Sequence, residues 1–146
     1  MPFLIFGAPP VVVSPMGMNK SGVQSIAGNT TNQKITGWTP RTGYTQTVVT
    51  GSELIADGPG PVVVHGRIEL TQSWATSSQL SVMVMKNDAQ AASAVFVTQT
   101  SSLTLPGTPL TLVAGDRVWV RMTNSDLFAN ATVQTGAGTH LSFDPT

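Results

Sequence analysis

The chain has no cysteine among its 146 residues, which excludes a disulfide framework and every thiolate metal site. Charge is scarce as well: 10% of residues are Asp, Glu, Lys or Arg, and seven basic side chains balance seven acidic ones. With no net field to attract nucleic acid or an anionic membrane surface, neither is expected as a partner. No window of about eleven residues repeats apolar side chains at helical spacing. The helix-prone segment, Asp88 to Ala94, is too short to be stable alone. No uninterrupted apolar run approaches the roughly twenty residues of a membrane-spanning helix. What remains is 40% apolar content and a mean hydropathy of +0.13 with few charges to solvate the surface. That balance predicts that much of the surface is buried against other chains.

Against those absences stand twenty threonines, many valines and a repeated period of two, the pattern of half-buried strands. Along Val62 to Thr71, Val62, Val64, Ile68 and Leu70 point one way and Val63, His65, Arg67 and Glu69 the other. Gly66 falls on the apolar side, which suggests a bulge or a close approach by another backbone. From Leu110 to Met122 two short strands flank Ala114-Gly115-Asp116; Val118, Val120 and Met122 alternate with Arg117, Trp119 and Arg121. A slip of one residue there would send two arginines into the core, so the register fixes itself. Further strands are expected at Gln33–Trp38, within Thr45–Ala56, at Leu80–Met85, Val95–Val97 and Leu103–Leu105, and at Thr139–Phe143, where Leu141 and Phe143 face inward. Lys86-Asn87-Asp88 reads as a turn, Trp74 as part of a polar loop, and Leu127 to Gly138 as a looser segment. About eight short strands at this spacing mean an all-β sandwich or barrel, in one domain at this length.

The first fifteen residues, MPFLIFGAPPVVVSP, hold four of the ten prolines. No Lys or Arg precedes Lys20, and Pro9-Pro10 splits Phe3, Leu4, Ile5 and Phe6 from Val11, Val12 and Val13, so neither a secretory signal nor a membrane anchor is expected. The natural conformation is an extended arm, assigned to residues 1–18 with the domain at 19–146. Such an arm either folds back as an edge strand or docks into a neighbour.

No catalytic constellation emerges: there is no Gly-x-Ser-x-Gly, and His65 and His140 lie within strands. His65, His140 and Glu69 are the residues that would cluster in a metal site, against the plainer reading of histidines in a polar network. No phosphate loop or calcium loop is present, and no cofactor is expected. Trp38, Tyr44 and Trp74 are candidates for a sugar-stacking platform, or else fill the core edge and a subunit contact.

The order of these signals resembles the jelly-roll domain of the C1q and tumour necrosis factor superfamily, in the versions found in tail and head-associated proteins of actinobacteriophages. The matching features are Gln33–Trp38 with Gly43-Tyr44 downstream, Gly60–Leu70, and Leu80–Asn87. The run Leu112–Val120, with its Gly-Asp-x-Val-Trp-Val, and the closing strand Thr139–Phe143 complete them. The resemblance implies a two-sheet C1q/TNF-like sandwich that forms a homotrimer, with the long strand, the Gly-Asp-x-Val-Trp strand and the last strand sharing the sheet nearest the threefold axis. Combined with the alternation, this places His65, Arg67, Glu69, Arg117, Trp119, Arg121 and His140 on one trimer interface and predicts that the scarce charges pair there. The function expected is that of a non-enzymatic virion protein, a minor tail or capsid decoration protein, joined to other virion proteins through Phe3, Leu4, Ile5, Phe6, Val11, Val12 and Val13. The alternative is an adhesin that binds a host cell-surface glycan through the loops around Tyr44 and Trp74.

Overall fold

The computed structural model describes residues 12–146, and all of their regular structure is β. In chain order the strands are β1 Met16–Lys20, β2 Gln24–Ile26, β3 Thr30–Lys34, β4 Trp38–Pro40, β5 Val49–Thr50, β6 Glu53–Ile55 and β7 Gly60–Trp74. They continue as β8 Leu80–Lys86, β9 Ala89–Val95, β10 Thr100–Leu112, β11 Arg117–Asn124, β12 Ala131–Val133 and β13 Gly136–Pro145. The first sheet runs β2-β12-β7-β13-β1-β4, with β10 also paired to β7. The second runs β5-β6-β11-β8-β9, with β3 also paired to β11. Every pairing is antiparallel.

The predicted phase of β7 holds: Val62, Val64, Ile68 and Leu70 are buried, while His65 is exposed and Arg67 and Glu69 are half-buried. Facing them across the sandwich, Val118, Val120 and Met122 of β11 are fully covered; beside β7 in its own sheet, so are Leu141 and Phe143 of β13. One continuous apolar cluster joins both sheets, each fully buried large side chain contributing about 1.5–3 kcal/mol. At Gly66 an added Cβ would lie 2.6 Å from Leu105 Cδ1 and 3.4 Å from Leu141 Cδ1, so the residue makes room for two neighbouring side chains. The bulge sits in the partner strand, at Pro106-Gly107, where β10 carries one more residue than β7 between Leu105 and Thr108.

Several expectations change. Residues 110–122 do not form one paired unit: Leu112 ends a strand of the first sheet and Arg117 begins one of the second. The turn between them is an arch, closed by Asp116 N to Val113 O at 3.0 Å and pinned by Gly115 N to Ala56 O at 2.8 Å. The burial requirement is the same on either side of a corner, so alternation could not reveal it. Gln33–Trp38 is likewise divided, with Lys34 in one sheet and Trp38 in the other. The segment Asp88 to Ala94 is mostly strand, because Asn87 takes a positive φ of 53° and folds β9 back on β8 with Lys86 opposite Ala89. Trp74 ends β7, and Ala131–Val133 is a strand within the stretch expected to be loose.

The arm also shortens. Phe3, Leu4, Ile5, Phe6 and Val11 lie outside the described residues. Val12 is exposed, but Val13 is buried in its own domain with its amide bonded to Pro59 O at 2.9 Å. Met16–Lys20 lies between β13 and β4, and Met16 and Met18 are fully buried. Residues 13–18 therefore belong to the domain and not to the arm, because Val13, Met16 and Met18 bury their side chains in its core and Met16–Met18 pair with β13.

Met18→Ala should lower the unfolding free energy by about 2–5 kcal/mol, as truncation of a closed core site does. Urea denaturation measures this; a change within about 0.5 kcal/mol, typical of a surface position, would return the segment to the arm.

Candidate functional site

The outward residues of β7 and its neighbours form the candidate site. His65, Arg67 and Glu69 project from β7, with His140 of β13 opposite Arg67 and Ser142 opposite His65. One strand further, Asn19 stands opposite His140 and Gly17 opposite Ser142. On the other flank, Thr104 stands opposite Arg67 and Pro109 opposite Val63. Arg67 Nη1 lies 3.3 Å from Glu69 Oε2 with both side chains about one-third exposed, a pair worth at most about 1 kcal/mol. Arg41 reaches this face from the loop after β4, donating to Asn19 Oδ1 at 2.8 Å and Ala137 O at 3.3 Å. His140 Nδ1 stands 3.1 Å from the same Ala137 carbonyl. Burial pushes the His140 imidazolium pKa down, and the positive charges of Arg41, Arg67 and His65 push the same way against the Ala137 bond.

Arg117, Trp119 and Arg121 do not share this surface. They lie on β11, in the second sheet, and face outward from the opposite side of the sandwich. The expected single charged surface is therefore two. On the second, the carboxylate of Glu53, itself buried, accepts from Arg117 Nη1 at 3.2 Å to both oxygens and from Lys34 Nζ at 3.2 Å. Arg117 Nη2 also meets Asp88 at 3.0 Å. The Asp88 hydrogen bond, with the bond and charge of Glu53, raises the guanidinium pKa. Lys34 Nζ sits 5.0 Å from the centroid of Trp119, whose indole N–H donates to Asn87 O at 2.8 Å. Arg121 lies between Lys34 and Met83 in register, and its Nε is buried with no acceptor among the described residues. Within the chain Arg67 thus pairs with Glu69 on the first face and Arg117 with Glu53 and Asp88 on the second, while His65, His140 and Arg121 have no carboxylate partner among the described residues.

Among the described residues no group of three His, Cys, Asp or Glu side chains stands close enough to hold a metal, and His65, His140 and Glu69 are no exception. Tyr44 and Trp74 do not form one platform. Trp74 is 2% exposed and its indole N–H donates to Ser78 O at 2.9 Å, so neither ring face is open to a sugar. Tyr44 is half-buried against Gly17, its hydroxyl 3.4 Å from Asp144 Oδ2. Asp144 is level with Val63, so at about 3.3 Å per residue Trp74 lies roughly 36 Å further along β7. Trp38 does fill the core edge, with its indole N–H bonded to Ile35 O at 2.8 Å.

Sequence reasoning passed over a second feature. β7 and β12 are paired at Leu70 and Val133, then diverge, and a cleft of about 230 Å³ opens between them. Thr71, Gln72, Ser73, Asn130 and Thr132 line it above Leu70, Trp74 and Ala131. The loop bearing Asn130 is held by the buried Asn124, whose Nδ2 donates to Ile26 O at 3.1 Å and Ala129 O at 2.8 Å while its Oδ1 accepts from Asp126 N at 3.0 Å. Asp126 Oδ1 in turn accepts from Ala129 N at 2.6 Å and Phe128 N at 2.9 Å. These amides pull the Asp126 pKa down to about 2. The loop presents Phe128 at 90% exposure and Leu127 at 66%. The available signal was Asn124-Ser125-Asp126, a cluster of residues that bond their own backbone.

No protein-family model matches the sequence, and no curated protein does. Solved structures do match in fold. The structure of Eiger TNF from S. frugiperda superposes with a TM-score of 0.65 at 11% identity, over 93% of this chain and 94% of that one. Murine APRIL gives 0.66 at 14%, over 92% and 99%. GITRL from bushbaby gives 0.51 at 13%, over 91% and 95%. The chain therefore has a TNF-like jelly-roll fold. Identities this low establish the fold alone.

His140 should titrate below the ordinary 6.5 in the folded protein. Because its folded pKa is depressed, the stability it contributes is complete above the unfolded value of about 6.5 and is lost as pH falls from there through the folded pKa. A shift titration of the imidazole resonances with unfolding measured from pH 7 down to pH 5 checks this; His140→Gln should flatten the stability slope, and a His140 pKa above 6.5 would reverse the sign.

Proposed function

We propose that the chain is a non-enzymatic structural domain that assembles as a homotrimer through the outer face of its first sheet. The observation that carries this reading is the composition of that face. Beside His65, Arg67 and His140 it offers Val63, Thr104 and Pro109, uncharged positions on adjacent strands, while Gly17 and Ser142 on the same side are already covered within the chain. A solvated sheet face would alternate toward longer charged side chains, and this chain keeps few of them anywhere. The C1q/TNF resemblance supports threefold closure of such a face. In this proposal His65, Arg67, Glu69 and His140 line the interface, whereas Arg117, Trp119 and Arg121 stand away from it.

The proposed setting is a bacteriophage virion, with the chain serving as a minor tail protein or a capsid decoration protein. That setting rests on the likeness of Gln33–Trp38, Gly60–Leu70 and Leu112–Val120 to phage jelly rolls. Attachment to other virion proteins is assigned to residues 1–11, whose apolar, proline-rich sequence suits docking. Detection of the chain among the proteins of purified particles is the check on this setting.

The trimer is tested by light scattering of the full chain. A mass three times the 15.2 kDa of one chain is expected for the parent protein and for Arg121→Gln. Val63→Glu should give a folded monomer, because it places three carboxylates on a face that must be desolvated. A monomeric parent, or a Val63→Glu protein that stays trimeric, contradicts the proposal.

A further inference from the structure

We propose that the cleft between the end of β7 and the loop following β11 binds an uncharged saccharide. The proposal does not depend on the trimer. Its first support is the chemistry of the walls. Thr71, Gln72, Ser73 and Asn130 are exposed and Thr132 half-exposed around the opening. Their hydroxyls and carboxamides both donate and accept, which is what a ring of sugar hydroxyls requires. No Lys, Arg, Asp or Glu lines the cleft, so nothing there selects a phosphate, a carboxylate or a cation. At about 230 Å³ it is smaller than the roughly 300–1,000 Å³ of drug-sized sites, a volume for one ring of a glycan.

The second support is preorganisation. The indole of Trp74 is fixed to Ser78 O beneath the opening, and Asn130 Oδ1 accepts from Gly28 N at 3.1 Å, which orients its carboxamide. Asn124 and Asp126 hold the rest of the loop through the bonds described above. A ligand would therefore meet walls that need little further ordering.

The third support is Phe128, two residues before Asn130. Leaving its ring in water forgoes the gain of burying it, yet the Asp126 carboxylate accepts from its amide and fixes the backbone that displays it. The Phe128 ring does not line the cleft, but on the same loop as Asn130 and open to solvent it can stack on the C–H face of a sugar unit that extends beyond the cleft. This site differs from the platform expected from the sequence: Trp74 is its floor, and Tyr44 takes no part.

Position adds a fourth support. Val13 N bonds to Pro59 O and Thr146 N to Pro61 O, so both described chain ends lie at the start of β7. The cleft lies at the end of that 15-residue strand, roughly 40 Å away at about 3.3 Å per residue.

The test is a titration of the isotope-labelled full chain with triacetylchitotriose, maltotriose and mannotriose, each to about 10 mM, enough to saturate a site of Kd near 1 mM. Expected are saturable shifts of the Gln72, Ser73, Asn130 and Thr132 amides with at least one of them. Gln72→Ala, on an exposed strand position, should weaken that binding about three- to tenfold, and Asn130→Ala and Phe128→Ala should weaken it as well. No saturable shift with any of the three sugars, shifts confined to other residues, or unchanged affinity in Gln72→Ala and Asn130→Ala overturns the proposal. Saturation of the same amides by an uncharged Ser/Thr-rich peptide in place of the sugars also overturns it, making the cleft a polypeptide site.

Discussion

The phase of β7 is the constraint from which the rest follows. This strand pairs with β13, β10 and β12 and carries an unbroken inward row from Val62 to Leu70, with Gly66 left small so that Leu105 and Leu141 can meet over it. A one-residue slip would bury Arg67 and Glu69 and expose four large apolar side chains, a change costing several kcal/mol for each unpaired charge alone. With that phase fixed, the outward residues of β13 and β10 are fixed too. The candidate interface is a consequence of core packing in neighbouring strands.

The few charges are distributed to match. On the second sheet Glu53 is buried with two cations around it, and on the first Arg67 has Glu69 beside it. His140 sits among Arg41, Arg67 and His65, which is why its protonation is disfavoured. Lys20 is the contrasting case: its ammonium is buried and donates to Gly22 O at 2.7 Å, with burial lowering its pKa. Its partners are the carbonyls of Ser21 and Gly22, with no carboxylate among the described residues.

Alternation made most of the inward and outward assignments legible, because burying one face is a local requirement repeated at every second residue. It could not assign strands to sheets. Leu112 and Val118 are both buried and look the same whether Val113 to Asp116 turns within a sheet or crosses between two; the crossing moved Arg117, Trp119 and Arg121 to the far side. Met16 and Met18 read as part of a loose apolar arm for a similar reason, since only the long-range pairing with Phe143 and Leu141 shows them to be core. Trp74 illustrates the converse. Its polar neighbours suggested exposure, yet the indole closes the end of the core with one bond to Ser78. The cleft and its Asn124-held loop depend on contacts between residues about a hundred positions apart, such as Asn124 to Ile26 and Gly28 to Asn130, which no local pattern contains.

The central claim is that the outward face of β7 turns toward its copies while that of β11 turns away. The absence of cysteine makes it directly measurable, since a spin label can be placed at one position by His65→Cys and at another by Arg121→Cys. Dipolar spectroscopy on the assembled protein should give a short, well-defined distance between labels at position 65 and a longer one at position 121. No coupling at position 65, or the shorter distance at position 121, would contradict the account.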